Sequence, residues 1–307
     1  MMEGRHVTKK LCAAILGGTA MLAISSPAAA QFGGGPCDRA TLQSLADKYV
    51  QAQTEGLPLR VPMGNWVVYH ENGELSTMSQ GVLSTELKIA WHRALLDEKQ
   101  CKVYLEMIAP DADHPHVVAV QFNGFGGNGS NFEVIDTDQG DWLFDAAYTL
   151  KYAQAEDWSE IPADKRATPE ELKAAADAYL DYFKDKSVKV PWGTPCARLE
   201  GSAYTAKGTP QDSCNVGVPE NIDMAERSYV IDPVIGAVDV FLKMGPNKRP
   251  DAHVFRIEGG KIRYVHTVTN CGADENCGFG PFKDMLARNP NFYPNLDHLA
   301  VVTRPQR

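Results

Sequence analysis

The sequence predicts an α+β fold of two tandem cone-shaped units, each with a leading helix packed on a curled antiparallel sheet. The first observation behind this prediction is an internal repeat: residues 46–50 (ADKYV) match residues 176–180 (ADAYL), and residues 61–64 (VPMG) match residues 190–193 (VPWG). Both matches occur in the same order, at spacings of 130 and 129 residues, which indicates a duplicated unit. The second observation is that a helical pattern precedes β-branched and aromatic runs in both copies.

Each copy begins with a predicted helix, at residues 40–55 in the first copy and 169–184 in the second. The second helix has a clear start signal, because Thr168 stands at the N-cap, Pro169 at the first helical position and Glu171 at the third. One helix cannot cover a whole curled sheet, so each unit is expected to keep an apolar pocket. The predicted strands are residues 117–122, 132–135, 229–231, 238–242, 254–257 and 262–268.

The chain is predicted to divide into a leader, two units and a tail. Residues 1–30 are predicted to be a secretory signal peptide, with a basic start, a short apolar run and small residues at the cleavage site. A membrane anchor is the alternative, but spanning a bilayer takes about 20 apolar residues and this run is shorter. The units are predicted at residues 37–155 and 168–288, with a linker at residues 156–167 and an irregular C-terminal strap at residues 289–307.

The charge of the chain limits its partners. The 307 residues carry a net charge of −9 and contain no basic run. Such a chain repels phosphate backbones, which argues against nucleic acid as a partner. No further apolar stretch approaches about 18 residues, so no membrane contact is predicted after signal cleavage. We therefore expect a periplasmic or extracellular protein.

Six cysteines follow the predicted signal peptide. An even number of cysteines in an exported chain predicts disulfides. A zinc site is the alternative, but the sequence contains no CxxC spacing. Many pairings are compatible with the sequence, and the one that joins nearest neighbours is Cys37–Cys101, Cys196–Cys214 and Cys271–Cys277.

Residues 253–266 (HVFRIEGGKIRYVH) predict a β-hairpin, since two alternating strands flank a Gly259-Gly260 turn. A regular register from this turn places three opposed pairs on one apolar face: His253 and His266, Phe255 and Tyr264, and Ile257 and Ile262. The opposite face is predicted to be solvated and carries Arg256, Glu258, Lys261 and Arg263.

Two opposed histidines on an apolar face predict an acid–base site. Burial and mutual repulsion are expected to lower the pKa of at least one imidazole, which leaves a neutral base. Such a pair can take a proton from one atom and return it to another, as a lyase or isomerase requires. Two alternatives remain: both histidines are core residues with satisfied hydrogen bonds, or they begin a metal site with Asp239 or Glu200 as the third ligand.

Other residues are predicted to complete this site. Tyr229 is predicted to be catalytic as a proton donor, and Arg227 on the same strand face is predicted to contact an anionic or phenolic group. Trp192 and His92 are predicted to bind substrate together with Phe255, Tyr264, Ile257 and Ile262.

The first unit offers weaker candidates. His92 falls in a stretch interpreted as helical and could reach the pocket of this unit, where Tyr69 and Glu71 are the alternative chemical groups. These two residues align with Arg198 and Glu200 of the second copy. The motifs GxSxG and HExxH do not occur, which argues against a serine hydrolase and a zinc protease. The glycine-rich run at residues 124–129 (GFGGNG) precedes no predicted helix, so it is interpreted as a loop and not as a phosphate-binding turn, which argues against a nucleotide-dependent enzyme.

Several segments resemble an uncharacterised secreted family, a domain of unknown function known mainly from filamentous fungi. The resemblance covers nearly all of the chain after the signal peptide, and the segments that carry it best are residues 140–144, 156–166, 190–201, 229–232, 250–253 and 260–266. The chain departs from the family pattern at Ser228, where the family has arginine, and at Ser202, where it has glycine. The order of elements is also similar to the nuclear-transport-factor-2-like, or SnoaL-like, cone fold. These resemblances imply architecture and compartment more than a reaction.

Three functions are compatible with these observations. The first is a secreted, cofactor-independent lyase or isomerase that acts on a small aromatic molecule, by aryl-ether cleavage or by dehydration or isomerisation of a polyketide. The second is a non-catalytic periplasmic protein that binds a small molecule in the same pocket. The third is a structural protein whose second unit supports the first. The sequence is compatible with a homo-oligomer and predicts neither a cofactor nor a metal.

Overall fold

A computed structural model describes residue 1, residues 37–124 and residues 129–279. The predicted signal peptide beyond Met1 and the predicted C-terminal strap lie outside these residues. The fold is mixed α+β, with two six-stranded sheets. No helix within the described residues is long and apolar enough to span a bilayer.

Three α-helices are present in the described part of the chain: α1 (Arg39–Glu55), α2 (Ala146–Ala153) and α3 (Pro169–Asp181). The side chain of Asp38 caps α1 by accepting from the backbone N–H of Thr41, and Gly56 ends it in the left-handed conformation. Thr168 and Glu171 form the predicted capping box at the start of α3. Both predicted leading helices are therefore confirmed.

The first sheet has the strand order β2-β1-β6-β5-β4-β3. Its strands are β1 (Val67–Glu71), β2 (Glu74–Ser76), β3 (Trp91–Asp97), β4 (Lys102–Ala109), β5 (His116–Asn123) and β6 (Ser130–Thr137). The stretch around His92 forms β3 and not a helix, because it pairs with β4 along its whole length. The helical interpretation of that stretch was wrong.

The second sheet has the corresponding order β8-β7-β12-β11-β10-β9. Its strands are β7 (Trp192–Glu200), β8 (Ala203–Tyr204), β9 (Met224–Asp232), β10 (Ala237–Met244), β11 (Arg249–Glu258) and β12 (Lys261–Thr269). All six predicted strand segments lie inside observed strands. The identical order of strands supports the duplication that the repeat indicates.

Neither sheet is purely antiparallel. In the first sheet β1 runs parallel to β6, and in the second β7 runs parallel to β12. The prediction of antiparallel sheets is wrong at this position, because the strand that follows each leading helix pairs with the last strand of its unit. The cone shape and the unit boundaries at 37–155 and 168–288 stay predictions.

Three apolar cores hold these elements together. Leu42, Leu45 and other α1 residues pack on one face of the first sheet, and Leu172 and other α3 residues pack on one face of the second. A third core joins the two sheets through their other faces, with Tyr104 from the first sheet and Phe241 from the second. Each sheet therefore has a helix-facing side and an inter-sheet side.

The three disulfides are Cys37–Cys101, Cys196–Cys214 and Cys271–Cys277. The nearest-neighbour pairing is therefore confirmed. Disulfides of this number are typical of proteins from oxidising, secretory compartments.

Candidate functional site

The hairpin of β11 and β12 turns at Gly259 and Gly260, which have φ values of 55° and 73°. Such positive values favour glycine, because it has no Cβ. Ile257 lies opposite Ile262, as predicted, but the register then shifts between Arg256 and Ile257. The predicted hairpin exists, but beyond Ile257 and Ile262 its register differs by one residue from the predicted one.

The register shift separates the two histidines. His253 lies opposite Thr267, and His266 lies opposite Val254. A β-bulge adds one residue to one strand and so moves all following side chains to the other face. His253 therefore points to the helix-facing side of the second sheet, and His266 to the inter-sheet side. The prediction of an opposed histidine pair on one face is wrong.

His253 is held by a carboxylate on the helix-facing side. Its Nδ1 lies 2.6 Å from Oδ2 of Asp251, two residues earlier on the same face of β11. The other oxygen of Asp251 accepts from the hydroxyl of Thr269 on β12. Because a carboxylate accepts hydrogen bonds, Nδ1 of His253 donates, and Nε2 is the ring nitrogen that remains for chemistry.

Nε2 of His253 is buried and has no hydrogen-bond partner among the described residues. The imidazole stacks on Phe255 at 6.0 Å and lies 5.8 Å from the ring of Tyr179, between ring centroids. Leaving a buried polar atom without a partner costs about 1–3 kcal/mol, so such an atom in a folded protein is a candidate for contact with a ligand.

His253 lines a cavity of about 50 Å³. The polar groups that line it with His253 are Arg198, Glu200, Asp251, Thr267 and Thr269. Its apolar walls include Trp142, Phe183, Ile222, Met224, Met244 and Phe279. The cavity has room for about one water molecule or the reacting end of a small molecule.

Arg198 and Glu200 face the same cavity from β7. The guanidinium Nη1 of Arg198 lies 3.3 Å from Oε1 of Glu200 and donates to the hydroxyl of Tyr179 at 3.2 Å. Its Nη2 donates to the backbone carbonyl of Val216. The hydroxyl of Thr267 donates to Glu200 at 3.4 Å. These contacts hold one buried cation and one buried anion beside His253.

Burial lowers the pKa of His253, but the charge and hydrogen bond of Asp251 and the charge of Glu200 outweigh it and raise the pKa above its ordinary value. The prediction that burial and a second imidazole lower a histidine pKa is therefore wrong at this position. The partner of His253 is a carboxylate, and this makes its imidazole a stronger base than an isolated histidine.

His266 lies in a separate ionic cluster between the sheets. Its Nδ1 is 2.9 Å from Glu106 Oε1 and its Nε2 is 2.7 Å from Glu156 Oε2. Arg93 donates to the other oxygen of Glu106 at 2.7 Å, and its guanidinium carbon lies 3.5 Å from the centre of the Trp158 ring. Both ring nitrogens of His266 are thus occupied, so it is not placed to act on a substrate.

The pKa directions agree with an ionised cluster. Burial lowers the pKa of His266, but the charges of Glu106 and Glu156 outweigh it and raise the pKa. Burial alone would raise the pKa of Glu106, yet His266 and Arg93 lower it to about 2. The predicted linker supplies Glu156 and Trp158 to this cluster, so it does more than connect the two units.

Tyr229 and Arg227 contact helix α3 and do not line the His253 cavity. The Tyr229 hydroxyl donates to Asp177 at 2.7 Å, and Arg227 donates to Asp177 at 2.9 Å and to Asp181 at 2.6 Å. The structure therefore does not bring Tyr229 or Arg227 together with His253, because both side chains are used to attach β9 to the helix.

The predicted aromatic floor is divided between two faces. Phe255, Ile257 and Ile262 are fully buried in the core beneath α3, whereas Tyr264 faces the other way and stacks on Trp158 at 5.9 Å. The prediction that all four share one face with the histidines is wrong for Tyr264, for the same reason as for His266. Arg256, predicted to be solvated, is also buried and donates to the backbone carbonyl of Ser159.

The two remaining predicted binding residues lie away from the cavity. Trp192 packs edge-on against Tyr179, with 5.6 Å between ring centroids, and does not line the cavity. His92 is exposed on β3. Neither is brought to His253.

Sequence reasoning missed Asp251, the residue that defines the state of His253. A signal was present, because Asp251 and His253 are alternate residues of one strand and must share a face. A carboxylate two residues from a histidine in a strand could have been recognised as a dyad without knowing the register of the hairpin.

The described residues contain no group of three or more histidine, cysteine, aspartate or glutamate side chains that could hold a metal ion. Asp239, one of the two residues considered as a third ligand, lies on the inter-sheet side and accepts from Gln121 at 2.6 Å. Glu200 does lie beside His253, but Arg198 neutralises it.

Comparisons with known proteins add one finding. No curated protein and no solved structure matches the chain. Residues 165–269 match a family model described as Domain of unknown function (DUF8021). The matched region runs from the approach to α3 to the end of β12 and contains Arg198, Glu200, Asp251 and His253.

Proposed function

We propose that the second unit is a cofactor-independent lyase or isomerase that uses His253 for acid–base chemistry on a small molecule. The observation that carries this proposal is that His253 lines a cavity, while its buried Nε2 has no partner among the described residues and its Nδ1 is held by Asp251. A histidine with one nitrogen anchored and the other facing a cavity is the usual arrangement of a general base.

The proposed chemistry begins with transfer of a proton from a carbon or oxygen atom of the substrate to Nε2. Asp251 stabilises the imidazolium that forms, and the raised pKa of His253 favours this step. The same nitrogen then returns the proton to another atom of the substrate, either to a departing oxygen in an elimination or to a neighbouring carbon in an isomerisation. Arg198, positioned by Glu200 and Tyr179, would stabilise the negative charge that develops on the substrate.

The walls of the cavity favour an apolar or aromatic substrate. Trp142, Phe183 and Phe279 supply aromatic ring surface. Met224 and Met244 add polarisable thioether contacts. Because the cavity holds only about 50 Å³, an aryl ether or a polyketide would place only its reacting end against these walls.

The compartment supports chemistry without a diffusible nucleotide cofactor. We propose export to the periplasm or the extracellular space, which the three disulfides support. The resemblance to a secreted, mainly fungal family and to the SnoaL-like cone fold points to the same compartment and to a pocket under the leading helix.

The experiment is an activity screen of the purified protein, with its disulfides intact, against aryl ethers and hydroxyketones without added cofactor. We expect His253→Ala to lose about a hundredfold or more in turnover, the size of one acid–base role. The matched control is His92→Ala, an exposed histidine outside the cavity, which should keep wild-type turnover. If His253→Ala keeps full turnover, the chemistry must be sought in the first unit, around Tyr69 and Glu71.

A non-catalytic binding protein is the second candidate. The raised pKa of His253 favours an imidazolium beside Arg198, and two cationic groups could retain an acidic small molecule without turning it over. This candidate is favoured if a ligand binds tightly, is recovered unchanged and binds more weakly to His253→Ala.

A further inference from the structure

A second and larger cavity, which the proposed function does not use, lies in the first unit. Its volume is about 560 Å³, within the range of small-molecule pockets. It lies between the segment that follows α1 and the hairpin of β1 and β2. The apolar side chains that line it include Leu57, Leu59, Met63, Val67, Tyr69 and Met78.

The lining carries no formal charge. Its polar groups are hydroxyls, from Ser76, Thr77, Ser79 and Ser84. Transferring an ion into such a cavity is costly, because no opposite charge replaces its water. Hydroxyl groups, in contrast, can bond an alcohol, an ether or an ester. Because its lining is uncharged, the cavity therefore favours a neutral ligand over an ion.

Exposed apolar side chains are concentrated in the part of the chain that lines this cavity. Apart from Met1, the exposed large apolar residues of the described chain all fall between positions 57 and 75: Leu57, Leu59, Trp66, Val67 and Leu75. Three of them, Leu57, Leu59 and Val67, also line the cavity. Concentration of exposed apolar surface in one region marks an interaction site more often than scattered exposure does.

Tyr69, which lines the cavity, is held in place by hydrogen bonds and close packing. The Tyr69 hydroxyl donates to Glu71 at 2.6 Å, and Glu71 also accepts from the backbone N–H of Val82 at 2.7 Å. A Cβ added to Gly81 would lie 2.3 Å from Glu71 Oε2, so the loop that carries Gly81 packs closely on this pair. Because its hydroxyl is used by Glu71, Tyr69 presents a ring and not a polar group to a ligand.

We propose that this cavity is a binding site for a neutral, mainly apolar small molecule, such as a long-chain alcohol or ester. The site is independent of His253, because the two cavities share no lining residue, and because Tyr69 lies on a strand of the first sheet whereas His253 lies on a strand of the second. Its ligand enters past Leu59 and contacts Met63, Val67 and the ring of Tyr69.

The test uses phenylnaphthylamine, a neutral apolar dye whose fluorescence rises on leaving water. We expect the wild-type protein to bind the dye and decanol to displace it. Decanoate, which has the same chain and a negative charge, should compete about tenfold more weakly or worse, because the lining has no cation.

A matched pair of variants locates the site. Leu59 is 89% exposed and lines the cavity, whereas Leu75 is 75% exposed and does not. Leu59→Asp places a carboxylate at the cavity and should weaken dye binding about tenfold, while Leu75→Asp should leave it within about twofold. Met63→Trp, which fills the cavity without adding charge, should also weaken binding.

Three results would overturn the proposal. The first is equal competition by decanoate and decanol, and the second is equal loss of binding in Leu59→Asp and Leu75→Asp. The third is a wild-type dimer that binds no dye and that both aspartate variants convert to monomer by sedimentation, since the exposed region would then be an interface between two copies.

Discussion

The helix-facing sides of the two sheets share a scaffold and differ in chemistry. Strand register makes Tyr69 equivalent to Arg198, and Phe122 equivalent to Phe255. The leading helices contribute equivalent buried tyrosines, Tyr49 and Tyr179. At the equivalent phenylalanines both units build the same core.

The difference lies at the positions around His253. The strand register gives the equivalent positions in the two units. On β5 and β11, Val118 is equivalent to Asp251 and Val120 to His253; on β6 and β12, Val134 is equivalent to Thr267 and Asp136 to Thr269. The first unit therefore has mostly apolar residues where the second buries a histidine, a carboxylate and hydroxyls. Valines at these positions are compatible with the same strand order, so the polar residues of the second unit are not required by the fold. This contrast supports the assignment of function to the second unit.

The inter-sheet sides differ as well. Glu133 of the first sheet is equivalent to His266 of the second. The Glu133 side chain is 47% exposed and pairs with His70, whereas His266 is buried between Glu106 and Glu156. The same strand position is thus solvated in one unit and part of a buried ionic cluster in the other. Its role in the second unit is to attach the linker and the first sheet.

The largest expected effect comes from converting the second unit to the valines of the first. Asp251→Val alone should lower the free energy of unfolding by about 3–5 kcal/mol, because it leaves a buried His253 without its carboxylate. The double variant Asp251→Val, His253→Val should unfold within about 1 kcal/mol of wild type, since a buried ionic pair replaced by apolar residues is often neutral. Urea unfolding with intact disulfides measures both.

The outcome of this comparison decides whether the polar residues serve function or stability. If the double variant is destabilised as much as the single one, Asp251 and His253 are needed for folding. The contrast with the valines of the first unit would then no longer support a functional role for them. A stable double variant that has lost ligand turnover supports the proposed function.

The next effect concerns the inter-sheet cluster. His266→Gln should cost about 3 kcal/mol of stability, because Glu106 and Glu156 lose their shared cation. The pKa of His266 is raised above 6.5 in the folded protein, so its contribution is fully present below pH 6.5 and is lost as the pH rises through the folded-state value. The pKa of Glu106 is lowered to about 2, so its contribution is present above pH 4.5 and is lost as the pH falls toward 2.

These signs define the measurement. The stability difference between wild type and His266→Gln should be largest on the acidic side of pH 6.5 and should shrink in alkaline buffer. The exposed His92→Gln is the control for the loss of a histidine outside the cluster. A difference that grows with rising pH would contradict a cationic His266.

The smallest effect is expected at Tyr229. Tyr229→Phe removes the hydrogen bond to Asp177 and should lower stability by about 0.5–1.5 kcal/mol. Turnover of any substrate found should stay within about twofold of wild type, because Tyr229 does not line the His253 cavity. A much larger loss of turnover with an unchanged melting curve would indicate that Tyr229 is catalytic. It would contradict the proposal that only residues lining the His253 cavity take part in the reaction.

Much of the fold could be predicted from local sequence signals. The repeat at residues 46–50 and 176–180 indicated two units, and the Thr168 capping box located the start of α3. Six strand segments and all three disulfides also followed from residue type and spacing. The capping box and the strands depend on neighbouring residues, and the disulfide pairing was predicted by choosing the nearest cysteines in sequence, although Cys37 and Cys101 are 64 residues apart.

The site was predicted less well, because it depends on register. His253 was predicted to be a base paired with His266, but its hydrogen-bond partner is Asp251. A bulge next to the turn is enough to reverse which face each following side chain occupies. The predicted direction of the His253 pKa shift was wrong for the same reason. A neighbouring carboxylate raises the pKa of a histidine, whereas a neighbouring imidazolium lowers it.

The sequence by itself determined three features of this protein: a duplicated order of helix and strands, a strand that contains Asp-x-His, and six cysteines that pair. Only the tertiary structure decided which face each residue of β12 occupies, that His266 joins Glu106 and Glu156 across 160 and 110 residues of chain, and that Nε2 of His253 remains unpaired among the described residues. The physical reason is that local signals depend on the backbone preferences of a few adjacent residues. The electrostatics of a buried group instead depend on the charges that distant strands bring within a few ångströms of it.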